Sequence, residues 1–134
     1  MARMQEEVKR DVLEEMRTVE DLAGLAGRSP AEMHSDLERW KAEGRIFSVE
    51  HEGIEFFPAF ALDPASRYLP YPVVAEIIRI LNQIDGSRWA LASWFIAVNS
   101  YLDVQRPQDL LVSDPEWVIE AAEDEVVSVK FPHG

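Results

Sequence analysis

Cysteine is absent from the 134 residues, which excludes disulfides, thiolate nucleophiles and every cysteine-ligated zinc or iron–sulfur centre. Long apolar runs are missing too. The stretches 90–92 and 94–98 fall far short of the ~20 residues that cross a bilayer. Residues 1–10 carry charges of both signs and lack the apolar core of a signal peptide, so the expectation is a cytoplasmic protein. Positive charge is scarce, with 13 Lys and Arg against 25 Asp and Glu for a formal net charge of −12. That balance argues against a nucleic-acid binder with a broadly basic surface and against anionic membranes. Division of the chain does not rescue it: residues 1–65 hold 8 basic and 15 acidic side chains, net −7, and residues 66–134 hold 5 and 10, net −5.

Several chemical motifs are absent as well. There is no Gly-x-Ser-x-Gly elbow for a nucleophilic serine. Gly24 and Gly27 belong to a helix–turn segment and not to a phosphate-cradling loop. His34, His51 and His133 are far apart in sequence and are read here without a second metal ligand at i+4. The expectation is a protein without metal, cofactor or enzymatic activity. The acidic residues Glu116, Glu120, Glu123 and Asp124 read as a solvated helix face.

The length suits one compact domain or two small ones, and the division expected here is 1–62 and 63–134. Residues 5–16 place Val8, Val12 and Met16 at i, i+4, i+8, a helical stripe. Thr18 reads as the cap of a short helix ending at Gly27. Ser29-Pro30-Ala31-Glu32 combines a cap, a first-turn proline and a capping-box glutamate. The helix it opens turns Met33, Leu37 and Trp40 inward and stops at Gly44. Strands are expected at 45–50 and 54–57, with Glu52-Gly53 as the turn. Four prolines between 58 and 72 forbid long regular structure there, and Phe60, Tyr68 and Tyr71 point to a strand-like segment docked on a surface. Helices are expected at 73–84, 88–99 (capped by Ser87), 107–112 and 115–125 (capped by Asp114), with an extended tail at 126–134.

The fold class that follows is mainly α: an N-terminal winged-helix-like module with a β-hairpin, then a small C-terminal helical bundle. A winged helix that reads DNA places its second helix in the major groove, which here would use Arg28, Ser35, Arg39 and Arg45. The outward face of that helix also carries Glu32, Asp36 and Glu38, so a protein-contact or dimerisation module is preferred and DNA is the disfavoured alternative.

In the second half, Trp89, Trp94 and Phe95 load a small helical region with aromatic core. The run W-x4-W-F-x3-N-x2-L-x3-R-P-x-D-L-L-x2-D-P-x-x-V-x2-A-A resembles the toxin-binding domain of the Xre/MbcA/ParS antitoxin family. Trp94, Phe95, Asn99, Leu102, Arg106, Pro107, Leu110, Leu111 and Val118 carry the resemblance, which spans about residues 68–134. The family commonly reads Leu-Gly-Gly where this chain has Leu102-Asp103-Val104, and it usually closes on a His-Gly pair, here His133-Gly134. The resemblance implies an antitoxin-like, homo-oligomeric protein that neutralises a RES-domain toxin acting on NAD. Its C-terminal segment would cover the toxin's active site, with Arg106, Phe131, His133 and Gly134 as the contact residues.

Overall fold

The computed structural model describes residues 2–132, with side chains from residue 6 onward. The first six elements are α1 (Ala2–Glu14), β1 (Met16–Arg17), α2 (Val19–Ala26), α3 (Pro30–Ala42), β2 (Val49–His51) and β3 (Ile54–Pro58). Their antiparallel sheet runs β1-β3-β2, and the order of helices and strands is that of a winged helix. Local chemistry sets most boundaries. Thr18 Oγ1 accepts from the Asp21 N–H at 3.1 Å, and Gly27 ends α2 at φ 67°. Ser29 and Glu32 form the reciprocal capping box with Pro30 in the first turn. Gly44, at φ 74°, adopts the left-handed conformation that costs glycine least. Glu52 and Gly53, both at positive φ, make the tight β2–β3 turn, with His51 paired to Ile54.

Two sequence expectations change in this module and a third holds. Helix α1 ends at Glu14, because Met16 and Arg17 leave it to pair with Pro58 and Phe57. The strand expected at 45–50 forms only at 49–51, since Ile46 and Phe47 are drawn into two different cores. The proline-rich segment is ordered, as its aromatics suggested. Strands β4 (Leu62–Asp63) and β5 (Leu69–Pro70) pair antiparallel, and Phe60 packs against Phe95 with ring centroids 5.4 Å apart.

The C-terminal helices are α4 (Pro72–Leu81), α5 (Arg88–Ile96) and α6 (Pro115–Lys130), with 3-10 turns at Ser100–Leu102 and Pro107–Leu110. Ser87 caps α5 as expected, accepting from the Ala90 N–H at 3.2 Å. Asp114 sits at the start of α6 but caps nothing with its carboxylate, which instead accepts from Ser113 Oγ at 3.0 Å. Helix α5 stops three residues early because Asn99 pairs with Gln105. The tail corrects the extended reading: α6 continues through Lys130. Val126 prolongs the buried stripe of Val118 and Ala122 at i, i+4, i+8, and that stripe outweighs the strand preference of the β-branched valines.

Two cores result. One gathers Leu22, Met33, Leu37, Trp40, Ile46, Phe57 and Leu62 inside the winged-helix module. The larger one joins Val12, Met16, Phe47 and Val49 to the inward faces of α4, α5 and α6. Phe47 stacks on Phe95 at 5.8 Å, and Gln108 Nε2 donates to Glu15 Oε1 at 2.8 Å. None of the described helices is long and apolar enough to cross a membrane.

Candidate functional site

The C-terminal surface is built around the loop between α5 and the second 3-10 turn. Asn99 anchors it twice. Its N–H donates to the Gln105 carbonyl at 2.9 Å and its Oδ1 accepts from the Tyr101 N–H at 2.9 Å. Leu102 is fully buried beneath. The next two residues, Asp103 and Val104, take φ values of 56° and 62°. Left-handed backbone is tolerated by Asp but is a marked outlier for a β-branched residue, and Val104 is 67% exposed.

Arg106 lies at the foot of this loop with its charge already engaged. Its guanidinium donates to both oxygens of Asp109, at 3.0 and 3.2 Å, and lies 3.6 Å from Glu15. The bidentate bond to Asp109 outweighs burial and, with Glu15, holds the Arg106 pKa above its ordinary value. Arg106 therefore braces the loop against the turn between α1 and β1. Phe131 is 64% exposed just past α6, its N–H closing the helix on the Val127 carbonyl at 2.8 Å. His133 and Gly134 lie outside the described residues. Of the aromatics expected in the core, Phe95 is fully buried, while Trp89 and Trp94 pack at its margin.

Exposed apolar side chains gather in this half. Of ten large ones among the described residues, seven fall between 98 and 131: Val98, Tyr101, Val104, Val112, Val127, Val129 and Phe131.

The winged-helix face shows the opposite property. Asp36 pairs with Arg28 at 2.6 Å and with Arg39 at 2.9 Å. Burial alone would raise the Asp36 pKa, but the two guanidinium groups hold it below the usual carboxylate value. Lys41 pairs with Glu38 at 3.0 Å and with Glu55. Arg45 pairs with Glu43 at 3.4 Å and lies over the Trp40 ring. Ser35 is exposed on the outer face. Thus each arginine of the DNA reading is matched to a carboxylate of its own module.

One cluster escaped the sequence reading. His34 does have a partner at i+4, Glu38, and β3 brings Glu55 beside them so that the ligand atoms lie within 4.8 Å of one another. The spacing His34-x3-Glu38 was the available signal; the approach of Glu55 was not visible. The donor set suits a borderline divalent ion. However, the Lys41 ammonium already stands between the two carboxylates, so the cluster's own chain supplies its positive charge. No protein-family model matches the chain, and no curated protein or solved structure matches it.

Proposed function

We propose that this chain is a partner-binding protein of the antitoxin type. In this reading its C-terminal half neutralises a RES-domain toxin by laying the end of α6 and the segment beyond it over the toxin's NAD-handling cleft. The observation that carries the proposal is the exposed face at the end of α6. That helix is anchored by Val118, Ala121, Ala122 and Val126, yet Val127 near its end and Phe131 just past it are both more than half exposed. An anchored helix that ends in exposed apolar side chains is suited to docking against a partner.

Two further features support the reading. The left-handed pair Asp103-Val104 gives the loop the backbone that the family's Gly-Gly would adopt without strain. A net charge of −12 also favours encounter with a cleft that holds an anionic dinucleotide through cations. DNA binding through α3 rests on the winged-helix element order alone, and the paired arginines oppose it.

The test uses a purified RES-domain toxin and its NAD consumption. The full chain is expected to inhibit, and Val127→Asp combined with Phe131→Asp to weaken inhibition at least tenfold. Both positions are more than half exposed, so the helical spectrum and melting temperature should be kept. Undiminished inhibition by a folded double variant would sink the proposal.

A further inference from the structure

The turn between α2 and α3 and the β4–β5 hairpin border an open groove of about 860 Å³. Its rim carries Leu25, 57% exposed, and Leu69, 43% exposed. Among the described residues, these are two of the three large exposed apolar side chains that lie outside residues 98–131. Arg67 and Arg28 also line it, with Asp36 as the acid among the lining residues. Arg67 forms no ion pair among the described residues, whereas Asp36 is shared between Arg28 and Arg39. The groove therefore has a positive local balance in a strongly acidic chain. Trp40, in its wall, is 1% exposed, and its indole N–H meets no acceptor.

We propose that this groove docks an acidic peptide segment of a partner protein that carries leucine or another large apolar side chain. The apolar side chain sits between Leu25 and Leu69, and a flanking carboxylate meets Arg67. Charge complementarity selects this occupant. A basic segment is attracted to a chain of net −12 wherever it lands. An acidic one is repelled everywhere except where local cations and apolar burial together overcome the repulsion. The surface is separate from the α6 face, and the inference does not rest on the antitoxin reading.

The probe is a capped hexapeptide alternating glutamate with leucine, titrated into the nitrogen-15-labelled full chain. The expected result is a saturable shift of the Trp40 indole resonance, with the other three indole resonances unmoved. Arg67→Asn removes the charge while tolerating the φ of 56° at that position, and it should weaken binding at least fivefold. Arg67→Glu should weaken it more, and Arg88→Glu, away from the groove, should leave it unchanged. The double variant at Val127 and Phe131 should bind the peptide normally. The proposal is overturned by no shift at millimolar peptide, by shifts centred elsewhere, by equal binding of the lysine–leucine counterpart, or by indifference to Arg67→Glu.

Discussion

Replacing Val104 by glycine should make the protein more stable, although it deletes a side chain and loosens the unfolded chain. Val104 sits at φ 62°, and a left-handed non-glycine residue costs about 1–3 kcal/mol, with β-branched residues toward the upper end. Its side chain is 67% exposed, so deletion forfeits about a third of full valine burial, roughly 0.5 kcal/mol. The added freedom of glycine in the unfolded state costs a further ~0.5–1 kcal/mol. The Val104 N–H donates to the Asn99 carbonyl at 2.9 Å, a bond that glycine keeps. The balance is a gain of about 0.5–2 kcal/mol, read as about 2–7 °C in a thermal melt of a chain this size. Val104→Ala keeps the left-handed cost common to all non-glycine residues and loses the contact, so it should gain clearly less than glycine. Asp103→Gly should gain less than Val104→Gly, because aspartate accepts this conformation more readily. The reasoning fails if Val104→Gly melts below the parent, or if alanine gains as much as glycine.

Other consequences are equally direct. Asp36→Asn frees Arg28 and Arg39. It should confer weak duplex-DNA binding whose log–log salt slope is about −2, whereas a steep slope in the parent protein would restore the DNA reading. Burial alone would raise the Glu55 pKa, but Lys41 and the Ser48 hydroxyl together hold it below the ordinary value. Its contribution to stability is thus present above the usual carboxylate range and is lost as pH falls through the folded value. Glu55→Gln should flatten that acid-side loss in urea melts, and an unchanged pH profile would count against the pairing. Phe95 is fully buried among Phe47, Phe60 and Trp94, so Phe95→Ala should cost about 3–5 kcal/mol. Because that cluster joins both halves, Trp fluorescence and helical circular dichroism should lose structure in one shared transition. Separate transitions would contradict it.

What the sequence made legible was chemistry confined to a few consecutive residues. Ser29-Pro30-Glu32 announces a helix start, Gly27 and Gly44 announce stops, and Glu52-Gly53 announces a hairpin. Strand β1 was not legible, because two residues have no period, and Met16 and Arg17 become a strand only through Phe57 and Pro58. The end of α6 was misread because its valines alternate locally, while the stripe from Val118 to Val126 repeats every four residues. Distance in sequence hid the rest of the candidate sites. Lys41 meets Glu55 fourteen residues away, and Arg106 is braced by Glu15 from the turn after the first helix. Nothing in the surroundings of Arg106 in sequence, apart from Asp109, signals that its charge is engaged.

The paired arginines of the winged-helix face have a thermodynamic corollary. Asp36, Glu43, Glu38 and Glu55 serve Arg28, Arg39, Arg45 and Lys41 as built-in counterions. A polyanion that docks there displaces no bound salt, and the entropy that ordinarily drives such docking is missing. The apolar side chains around Phe131 respond to the medium in the opposite sense, since salts excluded from protein surfaces strengthen burial. Raising such a salt should therefore leave one face of the molecule indifferent and make the other more adhesive.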